Sequence, residues 1–336
     1  MKLTTIKDIA KKLGISHTTV SRSINNAPYI SKKTKARVLK LAEKMNYIPN
    51  LAARGLARGK SNTIAVVTFS YFGVFPTEIM RGIEPEIIKT KYDIIYYTTN
   101  RYTYIGTAGK EAYIFEKILN EKKADALIVL SGKLYGGKGI IDRFKKAGVH
   151  LVFIEGKDTW GHRVHYDNNY ASVLAVNHLI ERKRKKIGML TGNTEDVQSY
   201  KERKAGFIKA MRGHGREGAE GNIFEYHEDT PEMHKNALNF FLRNKIDALY
   251  VASGEEHAMR IIMEAQKLGI KIPGDLSIIG QDDTFLAQAT GMTVIRQPIA
   301  EMGRKAIELA VRAIEEKGLA MQDEIFYPEL VIRKTT

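Results

Sequence analysis

The sequence predicts an α/β protein with an N-terminal helix-turn-helix domain, a short hinge helix and a body of two doubly wound subdomains. Three observations predict this fold class. Two short helical patterns meet at a glycine near the N-terminus, most of the net charge lies in residues 1–60, and β-branched runs alternate with helical patterns beyond residue 60. At 336 residues the chain is longer than one hydrophobic core usually supports, so we expect several folding units.

Three helices are predicted in the first domain, residues 1–48. Apolar residues recur with helical spacing in TIKDIAKKLG, and Thr5 is placed to cap this helix. Gly14 ends it, and Ser16 caps a second helix, SHTTVSRSIN. Two short helices joined through a glycine are typical of a helix-turn-helix. Ser31 caps a third helix, which carries lysines on its outer positions.

The charge of the chain is concentrated in the same region. Residues 1–60 contain ten lysines and four arginines but only Asp8 and Glu43 as acids, so they carry +12 of the total formal charge of +15. Such an asymmetry favours a polyanionic partner for the N-terminal region, and the alternative is a solvated basic tail. The helical patterning of these residues argues against a tail.

The second predicted helix presents a polar outer face. Val20 and Ile24 are spaced to pack inward on the first helix, so the residues between them project outward. Short hydroxyls and an arginine reach phosphates and base edges in a major groove without filling the groove with apolar bulk. The outward residues are His17, Thr18, Ser21 and Arg22.

Residues 49–60 form the predicted hinge helix. Pro49 breaks the third helix, and Asn50 caps the short stretch LAARGLARG. A helix this short is not stable alone. The stretch is therefore either a flexible linker or a helix that orders against a second copy and DNA, with Leu56 wedged into a minor-groove step.

The body, residues 61–336, alternates strands with helices, which predicts parallel doubly wound sheets. Two sets of four strands indicate two subdomains separated by a cleft. We expect an N-subdomain at about 61–158 and 293–322 and a C-subdomain at about 159–292 and 323–336. Ligands of such sheets bind beyond the carboxyl ends of the strands, which directs attention to the loops there.

Several classes of protein and of site are disfavoured. Cysteine is absent, which excludes disulfides and thiolate sites and fits a reducing cytoplasm. We expect no membrane span and no secretory signal, because no apolar run is long enough. HRVHYD and YHEDTPEMH lack a spacing that brings two histidines and a third ligand together, so we expect no metal and no cofactor. Without a nucleophile elbow or a P-loop ending, we expect no enzyme.

Three segments resemble the lac repressor (LacI/GalR) family of bacterial transcription regulators: TIKDIAKKLGISHTTVSRSINN, YISKKTKARVLKLAEKMNYIPNLAARGLARGKS and SIIGQDD. The resemblance implies a periplasmic-binding-protein-like body behind the helix-turn-helix. It also implies a homodimer on near-palindromic operator DNA, with bases read from the start of the second helix and a leucine inserted from the hinge helix. The implied DNA-binding residues are Thr5, Ser16, His17, Thr18, Ser21, Arg22, Asn25, Ser31, Asn50, Ala53 and Leu56.

The same resemblance implies an effector site between the two subdomains. SYKERKAGF, GQDD and VIRQP are similar to family stretches whose arginine, acid and glutamine face the ligand. In VASGEEHA an additional residue relative to the family pattern leaves Glu255 without a matching role. The implied effector-binding residues are Tyr71, Phe72, Phe75, Ser131, Glu155, Arg203, Ser253, Asp282 and Gln297.

The expected function is a cytoplasmic repressor of a carbohydrate-use operon whose operator affinity depends on a small bound ligand, expected to be a sugar. One alternative keeps the fold but makes the effector a phosphoprotein, a nucleobase or a nucleoside. An alternative of another class is a solute-binding transport receptor, which would require an export signal and no basic N-terminal domain.

Overall fold

The structure is a computed structural model that describes residues 4–47, 60–99, 108–130, 137–156, 160–195 and 197–336. The chain divides into two compact units, Met1–Lys60 and Ser61–Thr336. Among the described residues, none of the helices is both long enough and apolar enough to traverse a lipid bilayer.

The first unit contains three helices, α1 (Ile6–Leu13), α2 (His17–Ile24) and α3 (Lys32–Lys44). Thr5 and Asp8 form the predicted capping box at α1, because each side chain bonds the backbone N–H of the other. Gly14 ends α1 with φ of 65°, in the left-handed region that favours glycine. The buried core of this unit consists of Ile9, Ala10, Val20, Val38 and Ala42.

The second unit alternates strands and helices along its whole length. Its first half contains β1 (Thr63–Thr68), α4 (Val74–Ile87), β2 (Asp93–Thr98), α5 (Ala108–Asn120), β3 (Ala126–Leu130), α6 (Gly137–Lys146), β4 (His150–Ile154) and β5 (His162–Tyr166). The next stretch contains α7 (Asn168–Glu181), β6 (Ile187–Thr191), α8 (Gln198–Gly213), a short 3-10 helix (Ala219–Asn222), β7 (Ile223–Glu225), α9 (Met233–Arg243), β8 (Ala248–Val251) and α10 (Glu255–Lys267). The final elements are β9 (Ser277–Asp282), α11 (Phe285–Thr290), β10 (Thr293–Arg296), α12 (Ile299–Glu315), β11 (Asp323–Phe326) and β12 (Glu329–Val331).

These strands form two six-stranded sheets, each the centre of one lobe. The first sheet has the spatial order β11-β5-β4-β3-β1-β2, and all its pairs are parallel. The second has the order β12-β10-β9-β8-β6-β7, in which only the β10–β12 pair is antiparallel. Both sheets have the strand order of doubly wound folds, with the sequence turning back beside the first strand of each lobe. The predicted helix-turn-helix domain and the body of two doubly wound subdomains are confirmed, whereas the predicted hinge helix lies outside the described residues.

The chain crosses between the lobes at places that differ from the expected subdomain limits. We expected 159–292 and 323–336 in the C-subdomain, but β5 and β11 lie in the first sheet. We expected 293–322 in the N-subdomain, but β10 lies in the second sheet. The crossings therefore fall just after β5, β10 and β11. The sequence limits were wrong because each lobe continues by one strand beyond its regular run of strands and helices, β5 in the first lobe and β10 in the second, and because β11 returns to the edge of the first sheet.

In the first lobe, α4 and α12 pack at very close range. A Cβ atom on Gly82 would lie 1.7 Å from the carbonyl oxygen of Ala300, and one on Gly303 would lie 2.2 Å from that of Ile79. Both distances are far below any real carbon–oxygen contact, so the two glycines allow the helix backbones to touch. This crossing holds α12 against the first sheet after the chain has returned from the second lobe.

Candidate functional site

The outer face of α2 is the first candidate site. Ser16 accepts a hydrogen bond from the backbone N–H of Thr19 at 3.0 Å and so fixes the start of the helix. Ser16, His17, Thr18 and Arg22 are exposed, whereas Val20 is fully buried. This surface combines hydroxyls, an imidazole and a guanidinium, and it suits phosphates and base edges.

The other predicted contact residues of this unit surround the same helix. Thr5 and Ser31 are exposed caps of α1 and α3, and Ser31 accepts from the N–H of Thr34 at 3.1 Å. Ser21 and Asn25 are half-buried and lie 3.5 Å apart through the Asn25 amide nitrogen and the Ser21 hydroxyl. Asn50, Ala53 and Leu56 lie outside the described residues.

Tyr29 is an exposed aromatic residue of this unit that was not among the predicted contact residues. Tyr29, between α2 and α3, is 100% exposed and has φ of 72°. An aromatic side chain with no packing in its own unit is free to contact a partner through its ring or its hydroxyl. The sequence contains one usable signal, since Tyr29 is a single aromatic residue between two polar turns in a basic region.

The second candidate site is a cavity of about 70 Å³ between the two lobes of the second unit. Phe69, Phe75 and Glu155 come from the first lobe, at or beyond the carboxyl ends of β1 and β4. Gln297 follows β10, at a crossing between the lobes. The second lobe supplies Val197, Ser199, Tyr200, Arg203, Ser253 and Asp282. The cavity therefore lies where doubly wound sheets bind ligands, at the carboxyl ends of their strands.

Arg203 is the central polar residue of this cavity and is only 5% exposed. Its Nε donates to Oδ1 of Asn168 at 2.7 Å, one terminal nitrogen donates to the carbonyl of Ala252 at 2.7 Å, and the other donates to Oε1 of Gln297 at 3.0 Å. A guanidinium has five N–H donors, so these three bonds fix its plane and leave two donors for other acceptors.

Two carboxyl groups face the same space. Glu155 accepts a hydrogen bond at 2.7 Å from the side-chain amide of Asn168. Asn168 in turn accepts from Arg203, so it links the carboxyl group to the guanidinium. Burial raises the pKa of Glu155 to about 7, and burial also raises the pKa of Asp282 to about 7. Their backbone φ angles of 57° and 102° lie in the left-handed region. Such strain at strand ends is typical of functional positions.

Two oxygen atoms that lie against this cavity have no protein partner among the described residues. One is Oε1 of Glu155, and the other is the hydroxyl oxygen of Ser253. Buried polar atoms are almost always hydrogen-bonded, because leaving one unpaired costs about 1–3 kcal/mol. Both atoms are acceptors, and the Ser253 hydroxyl is also a donor. The cavity is thus prepared for a ligand that presents hydroxyl or N–H groups.

Six of the nine predicted effector residues line the cavity: Phe75, Glu155, Arg203, Ser253, Asp282 and Gln297. Tyr71 and Phe72 are 54% and 85% exposed and do not line it. Phe69, which directly follows β1, lines the cavity in their place, because the chain turns outward beyond Phe69. Ser131 lies outside the described residues.

Sequence analysis missed Phe69, Val197, Ser199 and Tyr200, which line the cavity. Ser199 and Tyr200 precede Arg203 by four and three residues on α8, so they share its helix face. This helical spacing was a signal that could have identified both of them once Arg203 was chosen.

Two acids near the cavity, Asp283 and Glu255, bind protein groups and do not line the cavity. Asp283, with a side chain 1% exposed, forms ion pairs with Arg296 at 2.8 Å and Arg333 at 2.5 Å. Glu255 is fully buried and accepts from the N–H and the hydroxyl of Thr284. Both hold the loop after β9, so they position Asp282 and do not line the cavity.

A buried hydrogen-bond chain connects the lobes beside the cavity. The hydroxyl of Tyr166, at the end of β5, donates to the carbonyl of Arg296 at 3.0 Å. The Gln281 amide nitrogen lies 3.4 Å from the same hydroxyl, and Tyr250 donates to Gln281 Oε1 at 2.7 Å. Two residues that line the cavity, Asp282 and Gln297, are therefore adjacent in the sequence to members of this hydrogen-bond chain.

Comparison with known proteins gives two family matches. The model described as "Bacterial regulatory proteins, lacI family" matches residues 5–50, and the model described as "Periplasmic binding protein-like domain" matches residues 176–336. The NTD biosynthesis operon regulator NtdR of Bacillus subtilis (strain 168) is 31% identical over 340 residues, 99% of each chain. The HTH-type transcriptional repressor PurR of Aliivibrio salmonicida (strain LFI1238) is 30% identical over 338 residues, again 99% of each.

Solved structures give the same fold. The lac repressor dimer bound to operator and the anti-inducer ONPF superposes with a TM-score of 0.80 at 21% identity, covering 100% of this chain and 99% of that one. The complex of the transcriptional regulator CelR with cellobiose gives a TM-score of 0.71 at 21% identity, covering 99% and 100%. Both likenesses extend over both units of the chain.

Proposed function

The chain belongs to the lacI family of bacterial regulatory proteins, and from this premise we propose that it represses a carbohydrate-use operon under the control of a sugar. It is a DNA-binding transcription regulator and not an enzyme. The operon class, the sign of regulation and the sugar go beyond that family membership. We place its action in the cytoplasm, with a homodimer on a near-palindromic operator.

The DNA-contact part of the proposal assigns base reading to His17, Thr18 and Arg22. These exposed side chains lie at the start and on the outer face of α2. The helix is fixed by its N-cap Ser16 and by Val20, which is buried in the core of the unit. Two such helices of a dimer would enter successive major grooves roughly 34 Å apart. Lysines of the same unit, which carries most of the net charge, would supply the sequence-independent affinity for phosphates.

The effector part of the proposal is carried by one observation: Arg203, Glu155 and Asp282 converge on one cavity between the lobes. Vicinal hydroxyls are bound well by carboxylates and guanidinium groups, which offer two acceptors or two donors side by side. Phe69 and Phe75 supply apolar surface for the C–H faces of a sugar ring. The cellobiose complex of the structurally similar regulator CelR favours this class of ligand.

A nucleobase or nucleoside is the second candidate effector. The 30% identical repressor PurR favours it, and the aromatic and polar lining of the cavity is also compatible with a flat heterocycle. A phosphoprotein effector is less well supported. Such a partner would bind the protein surface and would not require a cavity with converging polar groups. A transport receptor is disfavoured by the lacI-family match of residues 5–50.

Thermal-shift screening of the full chain against sugars, nucleobases and nucleosides tests the proposal. A ligand that binds only the folded state raises its stability by about 2.7 kcal/mol at a concentration one hundred times its Kd. We expect a sugar to raise Tm, and the rise to be lost in Glu155→Gln and Ser253→Ala. A nucleobase that acts alone would replace the sugar assignment. No shift with any compound would contradict an effector cavity.

A further inference from the structure

We infer that Asp229, His234 and His257 form a binding site for a divalent transition-metal ion of the zinc type. Each residue offers one ligand atom, and the three atoms all lie within 4.8 Å of one another. Nothing in the DNA-binding or effector proposals requires these side chains. The site uses residues from three separate stretches of the second lobe.

The fold brings the three residues together at one edge of the second sheet. Asp229 is in the loop after β7, His234 is the second residue of α9, and His257 is the third residue of α10. The two imidazole rings lie nearly parallel, with centroids 5.2 Å apart, and Nε2 of His234 is 2.9 Å from Nδ1 of His257. The helix starts hold both rings in place, so little order has to be gained when an ion binds.

The donor set suits a borderline metal and not a hard one. Two imidazole nitrogens and one carboxylate oxygen are ligands that zinc accepts readily, whereas calcium and magnesium prefer sites made of oxygen alone. With metal–nitrogen bonds of about 2.0–2.1 Å, tetrahedral ligands stand roughly 3.3–3.4 Å apart. The two ring nitrogens are therefore a few tenths of an ångström too close, which a small rotation of His257 corrects. Three protein ligands leave a fourth position open.

Tyr226 supports the orientation that a metal ion would need. Its hydroxyl oxygen lies 2.9 Å from Nε2 of His257, on the opposite side of the ring from His234. When Nδ1 binds a metal, Nε2 carries the proton and donates a hydrogen bond to an outer acceptor. This hydrogen bond fixes the tautomer and the ring plane. The phenol oxygen of Tyr226 is such an acceptor.

Burial gives the site a closed side and an open side. His234 is 3% exposed, His257 is half-buried and Asp229 is exposed. An ion can therefore reach the imidazoles from solvent past the carboxylate, and the inner ligand is protected from competing water. The alternative is a plain hydrogen bond between two neutral rings, which would need no carboxylate beside it.

The sequence did not predict this site, and it led us to expect no metal. The two histidines within YHEDTPEMH lie too far apart along the chain to share one ion by local spacing, and His257 follows His234 by 23 residues on another helix. Only the parallel sheet, which starts α9 and α10 beside each other, brings the third ligand into range.

Calorimetric titration of the full chain with zinc chloride tests the inference, after treatment with a chelator and without a histidine tag. We expect one ion per chain, and we expect binding to be lost in His257→Gln. Binding should be weakened in Asp229→Asn, a change of an exposed residue that leaves the core intact. Tyr226→Phe should reduce affinity by roughly 10- to 100-fold, the usual effect of removing an outer partner. His214→Gln, which alters an exposed imidazole bound to Asn177, serves as the control and should bind normally.

Cobalt(II) gives a second readout, because its visible absorption reports a site of four ligands that include nitrogen. We expect these bands in the wild-type chain and in His214→Gln but not in His257→Gln. Absence of stoichiometric binding would overturn the inference. Equal binding by the wild type, His257→Gln and Asp229→Asn would overturn it as well, since the ion would then reside elsewhere.

Discussion

Arg203 shows how much a single side chain decides in this molecule. Buried and held by three acceptors, it is the one cation that lines the cavity among the described residues, and the side chains of Asn168 and Gln297 each accept one of its N–H groups. The fixed guanidinium provides two directed donors without any loss of side-chain freedom on binding. Under the proposed function, specificity at this site would come from preorganised groups and not from a large contact area.

Arg22 is the residue on which sequence recognition should depend most. If its guanidinium reads a base edge, Arg22→Ala will cost about 1–3 kcal/mol on the operator, which is roughly 5- to 150-fold in affinity, and much less on random DNA. Fluorescence anisotropy with both duplexes measures the ratio. Arg37→Ala, which removes an exposed arginine of α3, is the matched control and should leave the ratio unchanged. Equal losses on the two duplexes for Arg22→Ala would count against base reading.

Glu155 and Asp282 should make the stability of the second unit depend on pH. Burial raises the pKa of each to about 7 from ordinary values of 4.5 and 3.8. The folded chain then holds more protons than the unfolded chain between about pH 4 and pH 7, so this contribution is complete below about pH 4 and is lost as the pH rises to about 7.

The double variant Glu155→Gln with Asp282→Asn isolates that contribution. We expect the Tm of the wild type to fall more steeply than that of the variant between about pH 5 and about pH 7, because the amides cannot ionise. Scanning calorimetry across this range measures both curves. Parallel curves would show that these two groups ionise at the same pH in the folded and unfolded chain.

Among residues, the sequence identified polar site groups better than apolar ones. Arg203, Asp282 and Gln297 were predicted because SYKERKAGF, GQDD and VIRQP resemble family stretches that carry a ligand-facing arginine, acid and glutamine. Phe69 and Val197 were missed because apolar residues at strand ends look the same whether they line a cavity or fill a core. Tyr71 and Phe72 were predicted because the loop after the first strand resembles one that supplies aromatic contacts in the family, although both side chains are more than half exposed.

At the scale of elements, the contact between α4 and α12 is the one that tolerates least change. Gly303→Ala would place a methyl group against the carbonyl of Ile79, so the helices must separate. We expect a loss of about 1–3 kcal/mol in the free energy of unfolding, as for other overpacked sites. Denaturant titration measures this loss.

Gly139→Ala in α6 provides the opposite control. A Cβ atom there meets nothing within 4 Å, and alanine favours the helix by roughly 0.5–1 kcal/mol. The control variant should be equal to or slightly more stable than the wild type. A Gly303→Ala variant of unchanged stability would show that the helix crossing is less tight than described.

The sequence predicted the regular alternating elements well and the strands next to the crossings between the lobes poorly. All eight predicted strands have a counterpart, from β1 to β4 and from β6 to β9, because β-branched runs bounded by turns mark buried strands. It did not reveal β5, β10, β11 and β12, and the subdomain limits failed with them. These strands lie next to the crossings between the lobes, where the regular alternation of strands and long helices is interrupted.

At the scale of the whole molecule, the proposed regulation requires linkage between two binding events, one at the cavity and one at the operator. A ligand between the lobes changes operator affinity only if it binds one conformation more tightly than the other. The residues that line the cavity belong to both lobes and to one of the crossings between them. Under the proposed function, this placement would let a small ligand change how the two lobes meet. Sequence analysis foresaw such a cavity, but its lining and its unpaired acceptors depend on how the two sheets face each other.

The most direct test of the account is the affinity of the full chain for an operator obtained by in vitro selection, measured with and without the compound that raises Tm. We predict a near-palindromic duplex and a change in affinity of roughly 5- to 150-fold on adding the compound, the usual range for coupling of 1–3 kcal/mol. The change should disappear in Glu155→Gln. A chain that selects no duplex, or whose operator affinity is the same with and without that compound, would contradict it.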